Sequence, residues 1–216
     1  MNPPEVVVID YGLANLLNVV RAFEHCGAKV LIAHQPADVP SHGRLVVPGV
    51  GAFADCMAEI DRRGYSDVIR QYAASNNPTL GICVGMQILF ESSEEFGSHL
   101  GLGILKGHVK RIPNTTTNGQ HQRVPHIGWN HLLKPMGGSS WANTMLNNYQ
   151  DGQPAVYFVH SYAAVPENPG VRLADCDYGG HRVCAAVQQD SLVATQFHPE
   201  RSGEIGLQMI KNFMRM

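Results

Sequence analysis

The sequence predicts an α/β fold, a central, mostly parallel sheet flanked by helices. Three observations carry that expectation. Short apolar, β-branched runs such as Val6-Val7-Val8-Ile9 recur along the chain, the composition of strands buried on both faces. Amphipathic helical stripes alternate with them. Gly81-Ile82-Cys83-Val84-Gly85 stands where such a run ends and a helical pattern begins. Gly-x-Cys-x-Gly has the form of a nucleophile elbow, with sulfur in place of the serine oxygen.

The elements follow in order. Val6–Ile9 is the first strand, and Asp10-Tyr11-Gly12 breaks it. Leu16, Val19, Val20 and Phe23 give a helical stripe that Gly27 ends. Lys29–Ile32 and Leu45–Val47 are the second and third strands, and the loop Pro48-Gly49-Val50-Gly51 follows. Such loops line ligand crevices at the carboxyl ends of parallel strands. Phe53–Ala74 reads as helical, interrupted at Arg62-Arg63-Gly64. Pro78–Ile82 is the next strand. Met86, Leu89 and Phe90 then space a helix that carries Gln87, Glu91, Glu94 and Glu95. Leu102–Leu105 and Val109–Ile112 read as short strands, and Pro113–Gln122 as a polar loop or hairpin tip. Trp129 falls in a loop beside Gly128 and Asn130, and a short helix is expected near Trp141–Asn148. Val156–Tyr162, Val183–Val187 and Leu192–Phe197 return to strand character. Ile205, Met209 and Phe213 make a closing amphipathic helix.

The cysteine motif alone is equally compatible with a buried structural thiol between packing glycines. Far along the chain, Gln196-Phe197-His198-Pro199-Glu200 decides between the two. A thiol needs a base, and the base needs an orienting group. In extended backbone, positions i and i+2 share a side, so Glu200 is expected to fix the His198 imidazole. A helix start after Cys83 would favour a thiolate, and the Val84 N–H would face the oxygen that becomes negative during attack. A second such donor is expected from Gly49, Val50 or Gly51, where the alternative is a plain turn. Carboxylates on such a segment commonly form a solvated face, but Gln87 and Glu95 lie nearest the expected pocket and could hold a polar substrate. Trp129 is either a partner anchor or an ordinary core residue.

The whole chain, 1–216, is expected to be one domain. Hydrophobic residues make up 44% and charged residues 16%, the balance of a soluble globular protein. A net charge of −2 argues against a nucleic-acid or acidic-membrane partner. No apolar run reaches the ~18–20 residues of a membrane span. Met1-Asn2-Pro3-Pro4-Glu5 has no leader character. The five scattered cysteines contain no C-x-x-C pair and suit reduced thiols in the cytoplasm. His121, His126 and His131 lack metal-ligand spacing, so no metal or other cofactor is expected.

These motifs together resemble the class I glutamine amidotransferases, a resemblance spread over nearly the full length. It rests on Gly81–Gln87, Pro48–Gly51 and Gln196–Glu200. Asp10-Tyr11-Gly12, Pro125–Asn130 and Tyr157–Tyr162 narrow it to the glutaminase subunits of imidazole glycerol phosphate synthases. The resemblance implies the single-domain α/β fold of that class and hydrolysis of glutamine to glutamate and ammonia through a thioester. By position in the motifs, Cys83 is the nucleophile, His198 the acid and base, and Glu200 its partner. Val84 and the Gly49-Val50-Gly51 loop form the oxyanion hole, and Gln87, Glu95, Ser161 and Tyr162 bind glutamine. Trp129, Asn130, Tyr157 and Arg201 face a separate (β/α)-barrel cyclase subunit that consumes the ammonia in histidine biosynthesis. Val84 stands where leucine is commoner, and Arg201 where lysine is usual. The same chemistry feeding a synthase for surface-polysaccharide sugars is the alternative.

Overall fold

In this computed structural model the described residues are 5–138 and 140–216. Residues 1–4, on which the leader reading rests, and Ser139 lie outside them. Five parallel strands form the centre: β1 (Glu5–Ile9), β2 (Lys29–Ala33), β3 (Arg44–Gly49), β4 (Thr79–Cys83) and, late in the chain, β13 (Leu192–Thr195). Except on the edge strand β2, their apolar runs are buried on both faces; Val6 to Ile9, Leu45 to Val47 and Leu80 to Ile82 have almost no contact with solvent. Helix α1 (Leu16–His25) buries Val19, Ala22 and Phe23. Helices α2 (Phe53–Arg62) and α3 (Tyr65–Ala74) split at Gly64, which is left-handed with φ 77°.

The segment after Cys83 departs from the expected long helix. Helix α4 (Val84–Gln87) makes a single turn, and β5 (Phe90–Ser93) follows it. The carbonyls of Ile88, Leu89 and Phe90 are taken by N–H groups of residues 102–105 instead of continuing a helix. Met86, Ile88, Leu89 and Phe90 are all buried, so their helical spacing marks burial on every side and not one helix face.

A second sheet, in the order β10-β7-β5-β6, adds β6 (His99–Leu100), β7 (Leu105–Arg111) and β10 (Tyr162–Pro166). Leu102 and Ile104 thus precede the strand expected to include them. A bridge between Thr115 and His121 closes the expected hairpin tip. β8 (His126–His131) and β9 (Ala155–His160) pair as an antiparallel ribbon, so Trp129 lies on a strand and not in a loop. Residues 141–148 form turns and no helix, held by the buried Trp141, whose Nε1 donates to the Leu173 carbonyl at 2.7 Å. β11 (Arg172–Tyr178) and β12 (His181–Gln189) extend the main sheet, whose order is β11-β12-β13-β4-β3-β1-β2. Helix α5 (Gly203–Phe213) closes the fold, with Phe213 edge-on to Phe23 of α1. Among the described residues no helix is long and apolar enough to cross a membrane.

Candidate active site

The site sits where β4 and β13 end side by side. Cys83 is the last residue of β4 and has φ 56° and ψ −112°, a strained conformation for a side chain with a Cβ. The turn there is tight. A Cβ on Gly85 would overlap the Val47 carbonyl, and one on Gly81 would come 2.7 Å from the Gly85 oxygen. Only glycine fits at either place, so the spacing Gly-x-Cys-x-Gly is set by backbone approach. One turn of helix begins beside the thiol with the Val84 N–H, without a long helix dipole behind it.

β13 continues into Gln196, Phe197 and His198. The His198 N–H donates to the Tyr157 carbonyl at 3.0 Å, which anchors the residue to β9. His198 Nδ1 lies 2.8 Å from Glu200 Oε1, and both side chains are almost wholly buried. The 3₁₀ turn Pro199–Arg201 produces this pairing. Nε2 of His198 is buried with its hydrogen bond unmade. Burial by itself would lower the basicity of this imidazole. The Cys83 thiol and the Glu200 carboxylate beside it outweigh that and raise its pKa to about 10.

A cavity of about 310 Å³ opens over these groups. Cys83, Val84, His198, Val50, Gly51, Gln87, Glu95, Ser161 and Tyr162 line it, so it gathers most of the residues expected to meet substrate. Four details refine those expectations. The Val50 N–H donates to the Leu13 carbonyl at 3.0 Å, so in this conformation it is not a donor for the site. The Gln87 amide nitrogen is held by the Tyr162 carbonyl and Gln196 Oε1, both at 3.0 Å, so its NH₂ is committed within the protein. Glu95 is not on a helix with Gln87; its Oε2 accepts the Phe53 N–H at 2.7 Å and caps α2. Gly49 pairs with Cys83 across β3 and β4 as a wall of the turn.

Gln196 belongs to a motif that gave it no role, and it proves to contact the nucleophile: its Nε2 donates to Cys83 Sγ at 3.6 Å. Pro125, Val159 and His160 also line the cavity; they lie in the motifs that narrow the resemblance, which gave them no role. Trp129, Asn130, Tyr157 and Arg201 lie apart from it. The Arg201 guanidinium covers the Tyr157 ring at 4.5 Å, Trp129 meets that ring edge-on, and Trp129 is 59% exposed with Ile127 beside it. Asn130 is half-buried and donates to the Asp177 carbonyl at 2.7 Å, which gives it a structural bond as well.

A family model described as glutamine amidotransferase class-I matches residues 7–216. The chain is 44% identical to the imidazole glycerol phosphate synthase subunit HisH 1 of Legionella pneumophila (strain Lens), over 98% of this chain and 99% of that protein. It is 41% identical to the subunit HisH of Geobacter sulfurreducens, over 98% and 99%. Among solved structures it resembles that of PurLQS from Thermotoga maritima, with a TM-score of 0.73, 19% identity and 100% and 99% of the two chains covered. A glutamine amidotransferase of the same organism gives a TM-score of 0.60 at 16% identity, covering 93% and 77%. The structural likenesses speak for the fold, and the family match and the sequence identities for descent. The chain belongs to the class I glutamine amidotransferase family.

Proposed function

We propose that this chain hydrolyses glutamine to glutamate and ammonia as the glutaminase subunit of an imidazole glycerol phosphate synthase, and that a (β/α)-barrel cyclase subunit receives the ammonia. The observation that carries the chemistry is the convergence of Cys83, His198 and the buried Glu200 at two adjacent strand ends, around one amino-acid-sized cavity. The pathway assignment is supported by the relatives named as subunits of that synthase.

In this reading the Cys83 sulfur attacks the side-chain carboxamide carbon of glutamine. A tetrahedral intermediate forms, its oxygen facing the Val84 N–H. His198, made basic by Glu200, carries the proton to the departing nitrogen, so ammonia leaves and a thioester remains. Water, deprotonated by His198, then attacks the thioester and frees glutamate and the thiol. The Val50 N–H can join the oxyanion hole only when its bond to Leu13 is released, so hydrolysis is expected to be slow until a partner or substrate moves that loop. Trp129, Tyr157 and Arg201 form the face offered to the cyclase. The chain is assigned to the cytoplasm, where its free cysteines stay reduced.

The test is glutamate release from glutamine by the purified chain, alone and with the barrel cyclase and its nucleotide substrate. Weak activity alone and strong activity in the complex support the proposal. No stimulation by that cyclase would assign the chain to another synthase, such as one for polysaccharide sugars.

A further inference from the structure

A continuous run of hydrogen bonds joins the outer ribbon to the catalytic sulfur. Asn130 Nδ2 lies 3.4 Å from His126 Nε2, and His126 Nδ1 lies 3.0 Å from His160 Nε2. His160 Nδ1 lies 2.9 Å from the Tyr162 carbonyl oxygen. That carbonyl also accepts from Gln87 Nε2, which donates in turn to Gln196 Oε1. Gln196 Nε2 ends the run on Cys83 Sγ.

The directions are forced. A carbonyl only accepts, so His160 Nδ1 carries a hydrogen. In a neutral ring Nε2 is then the acceptor, and His126 Nδ1 donates to it. His126 Nε2 is left to accept from Asn130, whose second amide hydrogen goes to the Asp177 carbonyl. Every donor meets an acceptor only with both rings neutral. Both rings are buried, and His126 stacks between Phe158 and Tyr178, with ring centroids 4.8 and 4.1 Å away. Burial holds both imidazoles in the neutral form that the geometry requires, lowering His126 to about 4 and His160 to about 3.

Two buried imidazoles are an expensive way to join two strands that apolar side chains would join as well. Their far end, however, is the carbonyl on which the Gln87 amide hangs. We propose that His126 and His160 are positioning residues for the nucleophile: they fix the Tyr162 carbonyl, and through Gln87 they hold the Gln196 amide on the Cys83 sulfur, where it stabilises the thiolate. The inference rests on Cys83 being the nucleophile of the glutaminase reaction, but its test does not require glutamine.

The test is the rate at which iodoacetamide alkylates Cys83 in the full chain at pH 7, followed on the Cys83 peptide by mass spectrometry, with thermal unfolding measured in parallel. His126→Phe keeps the stacked ring and removes the donor; it should slow alkylation on the order of tenfold, the worth of one hydrogen bond to a charged group. Gln196→Leu should slow it equally, and the double variant should be no slower than either single one. His126→Asn places an amide donor where Nδ1 stood and should recover most of the rate. Asn130→Ala, at the half-buried outer end, should slow alkylation about two- to threefold even if His126→Phe fails to fold. An unchanged alkylation rate in a folded His126→Phe variant, or additive effects in the double variant, would overturn the proposal and leave the pair as ribbon packing. Altered alkylation in a chain that never hydrolyses glutamine would sustain the positioning role and reject the proposed function instead.

Discussion

Two kinds of histidine meet at this site, and their environments push them in opposite directions. His198 is raised to about 10 by Cys83 and Glu200 against the effect of burial, whereas burial lowers His126 to about 4 and His160 to about 3. An unfolded histidine titrates at about 6.5. His198 therefore contributes stability that is complete below about 6.5 and is lost as pH rises toward 10. The His126–His160 pair contributes stability that is complete above about 6.5 and is lost as pH falls toward 4 and below. Thermal unfolding against pH should show both limbs. His126→Phe should shrink the acid limb, to which the buried His160 still contributes, and leave the alkaline one, and a variant with both limbs unchanged would contradict the assignment. Cys83→Ala should abolish glutamine-dependent synthesis by the complex and leave synthesis from added ammonia, as measured by product formation with each nitrogen source. Loss of both would make Cys83 structural. The convergence of Cys83, His198 and Glu200 was legible in the sequence because the glycines around Cys83 and the two-residue step from His198 to Glu200 record local geometry. Gln196 and His160 were not, since their roles depend on contacts far apart in the chain.

Among the elements, the ones misread are those whose pattern has two physical explanations. Helix α4 stops after one turn because the residues that follow are buried on all sides and pair with residues 102–105. A fully buried strand and a buried helix look alike over so short a stretch. β11 was missed because Arg172-Leu173-Ala174-Asp175 carries charge into the interior. Asp175 is buried there against Arg172, whose Nε lies 2.9 Å away, and against Arg182 at 3.5 Å. The two tryptophans show the same limit. Sequence left Trp129 open between surface and core; on its ribbon it is 59% exposed, while Trp141 is 2% exposed and hydrogen-bonded. Trp129→Ala should change the stability of the isolated chain by less than about 1 kcal/mol yet weaken binding of the cyclase by about 2 kcal/mol or more. Trp141→Ala should cost about 3–5 kcal/mol of stability. Denaturant unfolding and a binding titration distinguish them, and a large stability loss for Trp129→Ala would place it in the core.

At the scale of the molecule, sheet order does what sequence order cannot. β13 enters late and pairs in parallel beside β4, which brings His198 to the strand end next to Cys83. The antiparallel β11 and β12 widen the sheet on that side, and the β8–β9 ribbon carries the His pair on its inner face and Trp129 on its outer face. The parallel centre was readable from its β-branched runs. The second sheet was not, although the expected Val109–Ile112 strand overlaps β7, because its pairing joins segments far apart in the chain. In the proposed reaction Cys83 carries the acyl group during glutamine hydrolysis. The decisive experiment mixes the complex with glutamine, quenches in acid and weighs the Cys83 peptide. That peptide should carry an added glutamyl group that hydroxylamine removes. Steady glutamate release with the group on another residue, or on none, would contradict it.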